Sequence, residues 1–432
     1  MSATTVPRST PGIFVWLRKA GSTLARPLFA VVLALIAGSI VIMLTVPGGL
    51  DTRFNAVVNA YQSLLQGSFG DAQSFSFTLV RVGPLIFAGL SVAIAFRAGL
   101  FNIGASGQLA MGAMASSLIG YYLPSAPGWL LIPLMLLGSI VAGGIWGGIV
   151  GILKAWRGAH EVVTTIMLNW TAFYFTDYLI DGPFKATGQS NQTAAIPVQA
   201  QLPLVSSFYN QTIGALLPKI PTPEAYSVDV SIFLALLALV IYWFITSRTT
   251  FGYEIRVLGQ NLRAAKYAGI SIQRNMFLAM ALAGAFAGLA GSCRLMGQAP
   301  YQLTGSTFSI DPTGFDAIGV AMLGRTTAVG VLLGALLFGG LRQGGSFMAL
   351  NANISSDLVY IIQALVLFNI AAEFLPAIQR SLPGWLTLNK RPALVAPIVG
   401  SSAVDPTISP NETPPDDAEI AVHPGSHNEE EG

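Results

Sequence analysis

The chain has 432 residues, 53% of them hydrophobic and only 10% charged, with a formal net charge of +2 and a mean hydropathy of +0.62. A soluble domain carries about 25% charged residues, so this composition excludes an ordinary soluble protein and points to a polytopic membrane protein. One cysteine, Cys293, excludes an internal disulfide and a cysteine-based metal cluster.

Runs of roughly 15 to 20 apolar residues mark helices able to cross a bilayer. Residues 1–26 are basic and lead into Pro27–Val46, a full-length run rather than the short core of a cleavable signal, so this first span is expected to remain. Val82–Phe96 follows. From Ala98 to Leu153 there is no Asp, Glu, Lys, Arg or His, and only Leu123-Pro124 to Pro127-Gly128 breaks the stretch, giving the spans Ile103–Leu123 and Leu130–Leu153. Val162–Ile180 comes next. Residues 181–229, rich in Pro, Gln, Asn and Ser, are long enough to form a small structure outside the bilayer. The remaining runs are Val230–Ser247, Asn275–Cys293, the short Phe315–Leu323, Thr326–Leu341 and Leu358–Phe374.

Counting the short run as one pass gives about ten transmembrane helices in an all-α membrane domain spanning 27–380. Sixteen of the 22 Lys and Arg residues then fall on one side, including Arg97, Lys154, Arg256, Arg263, Arg325 and Lys390. By the positive-inside rule both termini are expected in the cytoplasm. From Val395 onward the chain carries only acidic charges, from Asp405 to Glu431, and residues 381–432 read as a disordered acidic tail.

Several motifs fail. His160-Glu161-Val162-Val163-Thr164 begins like a zinc-protease helix, but Thr164 stands where the second histidine belongs, so no metal site is expected. No Gly-Lys dipeptide occurs, which excludes a P-loop. No nucleophile–base pair is evident, so there are no catalytic residues and no cofactor is expected. Gly143, Gly147 and Gly151, with Gly144 and Gly148 beside them, and the pairs Gly284/Gly288 and Gly330/Gly334, read as close helix packing within one subunit rather than a dimer seam.

Two segments interrupt the apolar runs with helix-breaking residues: Arg97 to Gln108, which holds three glycines with Asn102 and Gln108, and Asp311-Pro312-Thr313-Gly314-Phe315-Asp316. Paired broken helices mark a substrate path, because freed backbone groups must line a cavity or be buried in protein. Val162–Ile180 adds Asn169, Trp170 and Phe173 at mid-helix, neutral hydrogen-bonding and aromatic groups suited to a polar, uncharged, planar solute. The expected substrate path is thus Asn102, Gln108, Asn169, Trp170, Phe173, Phe315 and Asp316. Ionisable residues near membrane depth are few (Asp316, Asp177, Glu161, Glu373) and lie mostly toward span ends, which disfavours an ion-coupled secondary transporter.

Thr249 to Ser271 differs from its surroundings. It carries Glu254, Arg256, Arg263 and Lys266 between uncharged runs and reads as an amphipathic docking helix within a cytoplasmic loop, 248–274.

RAGLFNIGASGQLAMGA, HEVVTTIMLNW, GYEIRVLGQNLRAAKYAGI and GFDAIGVAMLGR, in this order, resemble permease subunits of bacterial ABC importers for simple sugars, nucleosides and branched-chain amino acids. The long amino-terminal region and the insertion after Asp181 look most like the larger permease of nucleoside importers. The resemblance implies a ten-span fold in the bacterial inner membrane and nucleoside transport, with simple-sugar (ribose-type) transport as the alternative and branched-chain amino acid transport or an ion-coupled secondary transporter behind it. It implies as partners a second permease, cytoplasmic ATP-binding subunits and an extracytoplasmic substrate-binding lipoprotein, besides membrane lipid; no nucleic acid is expected. It also implies that the loop contacts the ATPase through Glu254, Arg256, Leu258, Gly259, Asn261, Arg263, Ala264, Ala265, Tyr267 and Gly269. Ala264-Ala265-Lys266-Tyr267-Ala268-Gly269 keeps the family spacing of two small residues and a glycine, although Arg263 stands where the familiar version has Glu, and His160 where Asn is expected.

Overall fold

Inside a bilayer, backbone N–H and C=O groups have no water to pair with, so each apolar run must close its hydrogen bonds within itself as a helix. The computed structural model describes residues 13–371 apart from 189–190, 213, 215–217, 306, 353 and 356. The expected acidic tail, 381–432, and Glu373 lie outside the described residues. Helices α1 (Ile13–Thr45), α2 (Leu50–Leu65), α3 (Ala72–Arg97), α4 (Ala105–Tyr122), α5 (Gly128–Arg157) and α6 (Glu161–Asp181) form the first half. The insertion that follows contains α7 (Val205–Thr212). The second half holds α8 (Ser231–Arg248), α9 (Thr250–Gln260), α10 (Leu262–Tyr267), α11 (Ile272–Gly297), α12 (Thr307–Ile310), α13 (Thr313–Leu323), α14 (Ala328–Asn351) and α15 (Asp357–Ala371). No strand occurs among the described residues, only isolated bridges such as Gln192 with Thr304. Among the described residues, five helices, α3, α5, α8, α11 and α14, are long and apolar enough to cross a membrane.

α3 lies at the centre, its second half buried from Val82 to Ala95, and α11, α13 and α14 pack around it. α5 and α11 form the tightest helix pair, and the reason is glycine. A Cβ added to Gly284 would stand 2.0 Å from the carbonyl oxygen of Gly143, and one on Gly147 would stand 2.4 Å from that of Met280. Only hydrogen fits between these backbones. Gly330 meets Gly324, and Gly334 meets Val320, in the same way. The glycine faces singled out in the sequence are therefore seams within this chain.

Two elements depart from the sequence reading. α2 lies outside every apolar run because it mixes Leu50, Phe54 and Val58 with Asp51, Asn55 and Asn59, yet it forms, anchored by Tyr61, whose hydroxyl donates to Leu35 O of α1 at 2.5 Å. The amphipathic stretch from Thr249 to Ser271, read as one helix, is two. Asn261 leaves the helical conformation, and its side-chain oxygen accepts from Arg263 N (2.9 Å) and Ala264 N (3.1 Å), so it ends α9 and caps α10. The insertion is tied down by its backbone: Thr193 N donates to Leu303 O, Ile196 N to Tyr301 O and Leu202 N to Met296 O. At the head of α3, Asp71 accepts from Ser74 N at 2.6 Å, and this bond to the charged form holds its carboxyl below the usual carboxylate range.

Candidate functional site

α3 ends at Arg97, and α4 does not begin until Ala105. The connecting residues are not a loop at the edge of the helix layer. Asn102 is fully buried, and its Nδ2 donates to Ser91 Oγ (3.0 Å) and Gln108 Oε1 (2.9 Å), while its Oδ1 accepts from Gln108 Nε2 and Gly104 N, both at 3.1 Å. Ser91 precedes Arg97 by six residues, so at 1.5 Å per residue the chain has climbed roughly 9 Å back alongside α3 before α4 starts. The first turn of a helix leaves N–H groups unpaired, and Gly104 has no side chain with which to cap α4. Asn169 of α6 does this from outside, its Oδ1 accepting from Gly107 N (2.8 Å) and its Nδ2 donating to Ile103 O (2.9 Å).

The second break meets the first. Gly314, in the first turn of α13, packs on Ser106 so closely that a Cβ there would fall 2.4 Å from the Ser106 backbone nitrogen. The amino-terminal ends of two helices therefore face one another inside the bundle. Ser106 Oγ is buried at this meeting point and makes no hydrogen bond to the described residues. Sequence reasoning passed over Ser106. Its hydroxyl belongs to the quoted glycine motif, but its isolation depends on a contact with a residue more than two hundred positions away.

A charged cluster holds α13 in place. Asp311 accepts from Thr313 N (3.1 Å) and Thr313 Oγ1 (2.7 Å), and pairs with Arg294 of α11 and with Arg342 of α14 (3.4 Å). Arg342 also approaches Asp316 at 3.7 Å. Asp311, Arg294 and Arg342 are the members that the sequence reading did not assign, because residues 17 and 31 positions apart in the chain show no periodic signal. Their charges pair with one another, the arrangement that makes buried ions tolerable.

Of the residues expected along a substrate path, Asn102, Gln108 and Asn169 are thus brought together, and their amides are spent on holding the break open. Phe173 is buried, its ring edge-on to Trp170. Trp170, 52% exposed, and Phe315, 49% exposed, instead face outward from elements that flank the first turn of α4. Trp170 stacks on Tyr174, with ring centroids 6.1 Å apart.

The docking stretch lies at the Arg97 end of the bundle. Gly259 of α9 touches the α3 terminus: a Cβ on it would lie 2.3 Å from Arg97 O, and Gly99, at φ +72°, sits against its Cα. Leu258 and Ala265 are buried against this chain, and Glu254 accepts from Asn275 Nδ2 at 2.7 Å. Arg256 is partly turned back, its Nε donating to Gly252 O. Tyr267, 92% exposed, stands out with Arg263, Ala264 and Gly269 around it. Leu258 anchors the loop to its own bundle, while Tyr267, with Tyr253 and Leu262, is presented outward and is the most exposed of the three.

The chain matches the family described as branched-chain amino acid transport system / permease component over residues 74–371. It is 38% identical over 354 residues to the guanosine ABC transporter permease protein NupP of Bacillus subtilis (strain 168), covering 82% of this chain and 94% of that one. It is 35% identical over 353 residues to the nucleoside ABC transporter permease protein NupB of Lactococcus lactis subsp. cremoris (strain MG1363), 81% of this chain and 91% of the relative. With the glucose ABC transporter permease protein TsgB13 of Haloferax volcanii it shares 36% identity over 321 residues, 73% of this chain and 81% of the other.

Proposed function

This chain belongs to the branched-chain amino acid transport system / permease component family, and on that premise we propose that it is one permease subunit of an ATP-driven nucleoside importer. In this reading 27–380 crosses the bacterial inner membrane about ten times with both termini in the cytoplasm. α9 and α10 then face the cytoplasm and seat in an ATPase subunit, with Tyr267 as the anchor. The insertion of 181–229 faces a substrate-binding lipoprotein. The outward face of α6 meets a second permease, so that the path forms between the two.

The observation that carries the reading is the convergence of both broken helices on Ser106, beside a cluster of neutral amides. A nucleoside offers a planar base and uncharged hydroxyls. Trp170 and Phe315 supply aromatic faces for the base, and Ser106 Oγ, once α4 and α13 part, supplies a hydrogen-bonding partner for a hydroxyl. A transported carboxylate would instead require a fixed cation on the path, and Arg294 and Arg342 are already paired. Closure of the ATPase pair moves α9 and α10, and the permease pair exchanges an outward-open for an inward-open packing. Similarity to NupP and NupB supports the nucleoside; similarity to TsgB13 supports a simple sugar as the second reading.

Uptake of labelled guanosine in cells lacking and regaining this chain tests the substrate. Loss and recovery, competed by unlabelled nucleosides and not by glucose or leucine, is the expected result. Unchanged guanosine uptake with loss of glucose uptake overturns the nucleoside reading in favour of the sugar.

A further inference from the structure

Force delivered to α9 has to reach two places at once, the break before α4 and the break before α13. These lie far apart in sequence, and neither includes a residue of the docking stretch. One point in the structure touches both the start of the first break and the far end of α13, the helix that follows the second. The backbone oxygen of Thr326, in the turn between α13 and α14, accepts three hydrogen bonds: from Arg97 Nε (3.0 Å), Arg97 Nη2 (2.8 Å) and Tyr242 Oη (2.6 Å). The Arg97 guanidinium also lies over the Tyr242 ring, 5.5 Å from its centroid. Thr326 and its neighbour Arg325 are held in the left-handed region, at φ +54° and +49°. Non-glycine residues adopt this conformation at a cost and keep it only where their surroundings fix it. The turn is further clamped by Gly324 against Gly330, and Thr327 Oγ1 accepts from Gly330 N at 3.1 Å to cap α14.

Arg97 is also the residue whose backbone oxygen touches Gly259. Its main chain therefore meets α9, its side chain holds the foot of α13 through Thr326, and the chain leaving it passes through Gly99 to Asn102 and α4. Tyr242 adds α8, which leads directly into α9.

We propose that Arg97 and Tyr242 are positioning residues of the transport cycle, forming with the Thr326 carbonyl the junction through which displacement of α9 reaches both broken helices together. This rests on the importer reading above. The junction works because a backbone carbonyl with three donors cannot slide relative to any of them, while the Gly99–Gly259 contact has no side chain to yield. Movement of α9 therefore carries the foot of α13 and the start of the α4 break as one body, and the Ser106–Gly314 contact between them opens or closes as a unit.

The test uses the complete complex in proteoliposomes, with binding protein and guanosine, and reads uptake and ATP hydrolysis in parallel. Arg97→Gln removes both guanidinium bonds. Guanosine taken up per ATP hydrolysed is expected to fall at least tenfold with KM for guanosine unchanged, and Arg97→Lys, which keeps a cation and one donor, is expected to recover part of the loss. Tyr242→Phe keeps the ring and removes only the hydroxyl, and is expected to lower the same ratio two- to fivefold. If Arg97→Gln fails to assemble, Tyr242→Phe decides. A wild-type ratio of uptake to hydrolysis in Tyr242→Phe, or a loss of uptake explained by raised KM alone, overturns the junction. A wild-type complex stimulated by glucose and not by guanosine would overturn the substrate reading instead, and the same variants read with glucose would still decide the junction.

Discussion

Adding one methyl group to Gly284 is expected to damage the protein, whereas adding one to Gly144 is not, although both lie on the α5–α11 seam. A Cβ on Gly284 falls 2.0 Å from Gly143 O and 2.8 Å from its carbonyl carbon, and a Cβ on Gly144 falls 3.4 Å from Ala281 O. The obstruction at Gly284 is backbone, which cannot rotate away as a side chain does, so the helices must separate by about 1 Å merely to reach 3.0 Å, the closest approach a Cβ tolerates. A gap of that size forfeits a quarter to a half of each neighbouring dispersion contact. Overpacking of this kind costs about 1–3 kcal/mol. Alanine returns up to about 1 kcal/mol of helix propensity at either site, so that gain cancels in the comparison. Gly284→Ala should therefore lie about 2 kcal/mol below Gly144→Ala, a large fraction of a typical protein's margin. Thermal unfolding of both variants in detergent, followed by the fraction remaining monodisperse, measures the difference. Equal melting of the two would refute the assignment of the seam to a backbone contact.

Three further outcomes are expected. Asn102→Leu strips four hydrogen bonds from a buried cluster and leaves Gly104 N and Gln108 Nε2 without the acceptor they share. At about 1 kcal/mol per bond, with a further penalty for each orphaned group, at least about 4 kcal/mol should be lost; an unchanged melting temperature would mean that these amides do not hold the break. Tyr267→Ala, at a fully presented position, should leave thermal stability within about 0.5 kcal/mol while uptake and recovery of the ATPase subunit with the permease both fall; normal recovery of the ATPase would show that the anchor lies elsewhere. Asp71 has its folded pKa lowered by the bonds from Ser74. Its cap is therefore fully present above the ordinary carboxylate pKa and weakens as pH falls through the lowered value, so Asp71→Asn should flatten the acid limb of a stability–pH curve near pH 4 and below, and parallel curves would contradict the capping role.

How much of this was legible in the sequence depends on the reach of each signal. The charge-free stretch from Ala98 to Leu153 announces α4 and α5, because hydropathy acts residue by residue. The breaks were legible in Gly99, Gly104 and Asp311-Pro312, since glycine and proline act on their own backbone. α2 was not, because a helix with apolar and polar edges has no long apolar run. The family resemblance assigns Leu258 and Tyr267 to the same contact. Nine residues apart, they would fall on opposite faces even of one continuous helix, and Leu258 is in fact buried while Tyr267 is exposed. The pairing of Asp311 with Arg294 and Arg342, and of Arg97 with a backbone oxygen at Thr326, depends on tertiary approach alone. A carbonyl is common to every residue type and leaves no trace in composition.

The central claim, that this chain moves nucleosides at the expense of ATP, is tested most directly by loading proteoliposomes with the purified complex and following labelled guanosine into the lumen. Accumulation that requires both the binding protein and ATP, and that persists when proton and sodium gradients are collapsed, is the result this account expects. Accumulation without ATP that disappears with either gradient would contradict it.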